Sequence, residues 1–239
     1  ALLVITLKKT QKGAQNYCIS VVYEMAIYSY ISKPVLYLCT LNKINMDILK
    51  LAEQNQQAAW EILEDTRIIP AWERIGATVN IIGSLKSGLL MKSRDIDMHI
   101  YTDHLNIIES FSVMQELAER LPLKEIQYIN GINTEEECIE WHARYEDKEG
   151  NTWKFDMIHI RRGSKYDGTV ERVTDAIINQ LTPEIRQTIL QIKYDVPEGV
   201  FIPGIEIYHA VFTGGVKTYE ELEQWRKTNP LTNSLDWLP

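Results

Sequence analysis

Two aspartates one residue apart, Asp95 and Asp97, close the stretch GSLKSGLLMKSRDIDMHIY (83–101), and a Gly-Ser pair, Gly83-Ser84, opens it. The run DIDMHIY alternates, which places Asp95, Asp97 and His99 on one face of a strand and Ile96, Met98 and Ile100 on the other. Carboxylates at i and i+2 lie about 7 Å apart on such a face, at about 3.3 Å rise per residue. Turned into a pocket, the pair is unfavourable unless cations compensate it. Mg²⁺ takes oxygen ligands and keeps waters or substrate phosphates in the rest of its shell. With a third carboxylate, two such ions about 3.5–4 Å apart become possible. The Gly-Ser pair is complementary, because glycine lets backbone amides approach an anion and serine adds a hydroxyl. Lys86, Lys92 and Arg94 lie between the two ends as candidate phosphate contacts. The stretch therefore reads as a triphosphate cradle beside a metal platform. The plainer alternative is an exposed acidic strand face flanked by solvated basic residues.

The arrangement resembles the DNA polymerase β-type nucleotidyltransferase superfamily, whose signature is an apolar strand, Gly-Gly or Gly-Ser, about ten residues, then Asp-x-Asp. Gly83-Ser84, ten intervening residues and Asp95-Ile96-Asp97 fit it, and the resemblance covers about residues 75–160. The superfamily places a third metal-linked carboxylate on a later strand, and Asp156 in WKFDMIHI is the match. What the resemblance implies is an α/β (α+β) fold, a mixed twisted sheet flanked by helices. It also implies Mg²⁺-dependent transfer of a nucleoside monophosphate from an NTP to an acceptor hydroxyl or phosphate, with release of pyrophosphate. Asp95 and Asp97 would hold two Mg²⁺ ions, with Mn²⁺ as a substitute. Asp156 would bind the catalytic ion and help deprotonate the acceptor, and Gly83 and Ser84 would contact the β- and γ-phosphates. The alternatives are a catalytically silent nucleotide-binding protein of the same fold and a structural interaction module.

The neighbouring residues allow blander roles. Asp156 has Lys154 and Arg161 as alternative partners on its own strand. His99 shares the aspartate face and reads equally as a site residue or a strand-end residue. His159, three residues from Asp156, faces the other way, and His142 and His209 read as structural. The tryptophans and tyrosines after residue 163 read as core rather than as a stacking platform.

Around these residues the periodicity predicts a helix over 46–65 and a second in PAWERIGA, then a strand in TVNIIG. Asp103 is an N-cap candidate for a helix to Leu121, with Pro122 beyond it. LKEIQYI reads as a strand, and ECIEWHARYE and TWKFDMIHI as a hairpin closed by DKEGN. Helices are expected over about 168–181, from Thr182-Pro183-Glu184 to Tyr194, in PGIEIYHAVFTGG, and after the Thr218/Glu221 capping box. The predicted division is an apolar, basic N-terminal extension (1–45), a nucleotidyltransferase-like α/β domain (46–163) and a helical C-terminal region (164–239).

Charge and cysteine usage set the remaining expectations. Residues 1–45 carry five lysines against Glu24 and the remainder is net −12, so the chain totals −8. An acidic body repels polyanions. That favours a small-molecule acceptor beside the NTP and makes nucleic acid an unlikely partner. Cys18, Cys39 and Cys138 are odd in number and widely spaced, which excludes a disulfide framework or a zinc ribbon and fits a cytoplasmic location. Glu24 interrupts the one long apolar run, so no membrane partner is expected.

Overall fold

Alternating runs of apolar residues build the strands, and apolar residues at three- and four-residue spacing build the helices. The computed structural model describes residues 33–230 and 237–239. In chain order the elements are α1 (Lys33–Thr66), α2 (Ile68–Glu73), β1 (Thr78–Ile81), α3 (Gly83–Lys86), β2 (Asp95–Thr102), α4 (Ile107–Arg120) and β3 (Leu123–Gly131). They continue with β4 (Cys138–Glu146), β5 (Thr152–Arg161), α5 (Thr169–Gln180), α6 (Pro183–Asp195), α7 (Gly204–Gly214) and α8 (Tyr219–Thr228). The extension expected over 1–45 lies, as far as residue 32, outside the described residues. The unit Ile44–Pro239 holds the sheet and every candidate site residue.

The five strands form one mixed open sheet in the order β1-β2-β5-β4-β3, flanked by helices as expected. β2 and β5 are parallel, and every other pairing is antiparallel. Register matters more than order here. Asp97 stands opposite Asp156, Asp95 opposite Lys154, and His142 on β4 opposite Asp156. Because side chains alternate, all five residues leave the same face of the sheet.

The other face is the main core. Ile96, Met98, Ile100, Trp141, Phe155 and Met157 are buried there against Leu63, Trp72, Met114 and Leu117 from α1, α2 and α4. A second core joins Val173, Ile177, Ile189, Leu190, Ile207 and Val211 of the C-terminal helices. Leu89 and Met91 enter this second core while Leu90 enters the first, so the segment between α3 and β2 is stapled between them. Three hydrogen bonds tighten the staple: Arg186 Nε to the Gly88 carbonyl (3.2 Å), Lys193 Nζ to that of Leu89 (2.7 Å), and Lys92 Nζ to that of Val196 (2.6 Å).

Local differences from the sequence reading have physical causes. α2 begins two residues before Pro70 and ends at Glu73, short of the predicted PAWERIGA span. Proline is tolerated inside that first turn because the first N–H groups of a helix lack intrahelical partners. α4 is capped by Asn106, whose side chain accepts from Ile108 N (3.0 Å) and Glu109 N (3.3 Å), not by Asp103. Arg162 N donates to the Thr102 carbonyl (2.8 Å) and Arg162 Nε to Asp103 (3.0 Å), which ties Asp103 to the end of β5 rather than to the helix. Gly83–Lys86, read as part of a loop, forms one helical turn. Among the described residues, no helix is long and apolar enough to cross a membrane.

Candidate active site

The Gly-Ser turn is pressed directly onto the second aspartate. Ile82 N donates to the Asp97 carbonyl (3.1 Å), which lays the turn against β2. Gly83 has φ +64°, and a Cβ built there would sit 2.7 Å from Asp97 Oδ2, so any other residue is strained and displaces the carboxylate. Ser87 Oγ donates to the Gly83 carbonyl (2.9 Å), and Gly83 N donates to Thr174 Oγ1 on α5 (3.4 Å).

A cavity of about 380 Å³ opens at this turn. Its polar lining includes Gly83, Ser84, Asp95, Asp97 and Asp156, together with Lys154 and Lys193. Its apolar lining comes from Val170, Val173, Ile177, Phe201, Ile202 and Ile205. Three basic residues of the candidate set point elsewhere and are not among the lining residues. Lys86 pairs with Asp175 (2.9 Å), Lys92 is tied to α6 as above, and the Arg94 guanidinium lies 5.9 Å from the Trp153 ring.

Burial and mutual repulsion set the charge state of the aspartates. Burial pushes the Asp97 carboxyl up to about 7, and the charges of Asp156 and Asp95 add to the effect, against Lys193 and Lys154. Burial first, then Asp156, also raises Asp95. Lys193 is pulled down to about 8 by burial, opposed by Asp97 and Asp95. Between the ordinary value of 3.8 and about 7 the folded protein keeps a proton on Asp97 that the unfolded chain has lost. Stability of the metal-free protein therefore falls as pH rises through that window. A divalent cation bound there would take the ionised carboxylate and reverse the loss. The expected result is a larger Mg²⁺-induced rise in Tm at about pH 8 than at about pH 5, measured by scanning calorimetry. Equal rises at both would contradict it.

The donor set fits a hard cation. It offers carboxylate oxygens, glycine backbone and hydroxyls, with no soft ligand among the lining residues. The described group of His, Cys, Asp and Glu whose ligand atoms fall within 4.8 Å of one another lies elsewhere, at Glu136, Cys138 and Glu140. The three aspartates are not so tightly grouped, and Asp156 contacts His142 and Lys154 (2.9 Å).

Several residues of the site escaped the sequence reading. Lys193 follows Ile189 and Leu190 on the buried stripe of α6, and a lysine on an apolar stripe is the signal that marks it. His142, read as structural, touches Asp156. Glu171 anchors α5 to the sheet: it accepts from Tyr101 (2.7 Å) and Asn80 (3.3 Å) and contacts His99 Nδ1 (3.2 Å). Burial favours its neutral form, but the bonds from His99 and Tyr101 outweigh burial and hold it near about 2. His99 is thus an anchor for the cavity wall. His159 lies on the core side against Thr102 (2.7 Å), and burial lowers it to about 4.

No protein-family model and no curated protein matches the chain. Solved structures do match by shape. The poly(A) polymerase complex GLD-2–GLD-3 superposes with a TM-score of 0.52 at 10% identity, over 82% of this chain and 67% of that one. The GLD-2/RNP-8 complex gives 0.52 at 11%, over 84% and 72%. The chain has the fold of the polymerase β-type nucleotidyltransferases. A cytoplasmic RNA terminal U-transferase is also similar, at a TM-score of 0.49 and 16% identity, and the chain spans 52% of its length.

One expectation is corrected by this nucleotidyltransferase likeness. The acidic balance led to a small-molecule acceptor and made nucleic acid an unlikely partner, yet a poly(A) polymerase shares the fold. Net charge sums the whole surface, whereas binding responds to the local field of the cleft. In that cleft Lys154 and Lys193 stand beside the aspartates.

Proposed function

We propose that this chain is a metal-dependent nucleotidyltransferase that moves a nucleoside monophosphate from an NTP to a polynucleotide hydroxyl, with an RNA 3′ end as the acceptor class. The observation that carries the reading is the in-register pair Asp97 and Asp156 beside Asp95 and Gly83-Ser84 in one cavity. The sheet region 46–163 supplies the carboxylates, and the helices of 164–239 close the nucleotide side.

In this reading Asp95, Asp97 and Asp156 hold Mg²⁺ ions. When bound, the divalent cations neutralise the triphosphate and make the acceptor hydroxyl more acidic. Gly83 and Ser84 face the triphosphate, and Lys193 offers it a half-buried ammonium. The base and sugar lie along Val173, Ile177 and Ile205, with Phe201 (82% exposed) at the rim for stacking. The acceptor oxygen attacks the α-phosphorus, the bond to pyrophosphate breaks, and Asp156 takes the hydroxyl proton. Most of the barrier reduction comes from positioning and charge stabilisation.

Lys193→Met removes a charge-assisted contact worth about 1.5–3 kcal/mol. The expected effect is a roughly 10- to 100-fold higher KM for NTP with a smaller change in kcat. An unchanged KM would remove Lys193 from the triphosphate site. The function itself is tested with α-labelled NTPs, Mg²⁺ and a single-stranded RNA. Label joined to the RNA, with pyrophosphate released, is the expected outcome. NTP binding without either product would instead indicate a silent nucleotide-binding protein.

A further inference from the structure

Both carboxylate oxygens of Asp156 are engaged, Oδ1 by the ring Nδ1 of His142 and Oδ2 by Lys154 Nζ at 2.9 Å. The two partners are held very differently. His142 stands opposite Asp156 in the β4–β5 ladder, and its Nε2 faces Glu140 Oε2 at 3.2 Å. Its ring lies between the two carboxylates, with the side chain only 20% exposed. Lys154 hangs on a four-carbon stem with its side chain 39% exposed, and no second acceptor holds its ammonium among the described residues.

A divalent cation that ligates Asp156 competes with one of these partners for a carboxylate oxygen. Releasing Lys154 swings a hydrated, flexible ammonium into water. Releasing His142 breaks a hydrogen bond and dislodges a largely buried ring from the β4–β5 ladder. The incoming cation also repels the ammonium directly. We propose that His142, backed by Glu140, is the positioning residue that aims Asp156 at the catalytic cation, and that Lys154 is a placeholder cation that yields Oδ2 when the metal enters. This rests on the nucleotidyltransferase reading of the site. A hydrogen-bonded partner behind a ligating carboxylate fixes its orientation, and its loss costs about 10- to 100-fold in metal affinity or activity.

The two roles carry opposite signs. Mn²⁺ alone is titrated into the full chain and followed by electron paramagnetic resonance, beside turnover measurements. His142→Leu is expected to weaken Mn²⁺ binding about 10- to 100-fold and to lower kcat with KM for NTP little changed. His142→Asn keeps an N–H near the Nδ1 position and is expected to recover most of both losses. Lys154→Met removes a competitor and is expected to tighten Mn²⁺ binding. Wild-type Mn²⁺ affinity in His142→Leu overturns the positioning role, and so does an Asn variant no better than Leu. Weaker binding in Lys154→Met overturns the placeholder role. If Asp156→Asn binds Mn²⁺ as wild type does, the metal reading of the site falls, and the proposal falls with it.

Discussion

Asp97→Asn is expected to abolish nucleotidyl transfer while raising the Tm of the metal-free protein. Both signs follow from one set of contacts. Asp97 is held between burial and two neighbouring carboxylates, which together push its carboxyl up to about 7. At about pH 8 the ionised form is unfavourable in the absence of a cation, so an uncharged isostere relieves the fold. Stabilising changes that sacrifice a strained functional group commonly yield about 0.5–2 kcal/mol. For a chain of this size each kcal/mol moves Tm by about 2–4 °C. On the proposed reading the same substitution removes a ligand to a cation that would contribute several kcal/mol to transition-state charge stabilisation, so a loss of roughly a thousandfold in kcat is expected. Calorimetry in EDTA and a turnover assay read the two effects separately. An ordinary exposed aspartate would move neither. A destabilised Asn variant would contradict the electrostatic account even if activity were lost.

Gly83→Ala is expected to cut activity by about a hundredfold or more and to destabilise the protein. Gly83 carries φ +64°, a conformation that costs an L-residue about 1–2 kcal/mol. Strain alone would not touch catalysis. The larger effect is the new Cβ, 2.7 Å from Asp97 Oδ2, which must turn the carboxylate out of its place. A misplacement of about 1 Å at a reacting centre costs about a hundredfold. Gly76→Ala is the control, since Gly76 has φ +78° but nothing within 4 Å of a built Cβ. It should share the loss of stability and keep the activity. Equal activities in the two variants would show that the Gly83–Asp97 contact has no role in turnover.

The strands were legible because apolar alternation is a direct consequence of one buried face, as in DIDMHIY and TWKFDMIHI. The mixed, helix-flanked sheet followed from the Gly-Ser and Asp-x-Asp resemblance, whose shape the poly(A) polymerase structures share. More could have been read from the hairpin. Closing DKEGN at 147–151 sets Glu146 opposite Thr152, and counting back along both strands sets His142 opposite Asp156. The parallel register of Asp97 with Asp156 was beyond local patterns, because the strands are joined through α4, β3 and β4. Sequence proximity also misled: Lys86 and Lys92 lie close to the aspartates in the chain but reach towards α5 and α6. A lysine of the cavity, Lys193, instead comes from α6, about a hundred residues on. Acceptor class was read from net charge, which averages away the field of the one cleft that matters.

The central claim is that Asp95, Asp97 and Asp156 act together on an NTP. Its most direct test follows label from α-labelled NTPs into a single-stranded RNA with Mg²⁺, comparing wild type with Asp97→Asn and Asp156→Asn. The expected result is extension of the RNA with pyrophosphate release by wild type only. Extension that persists at wild-type rate in either variant would contradict the account.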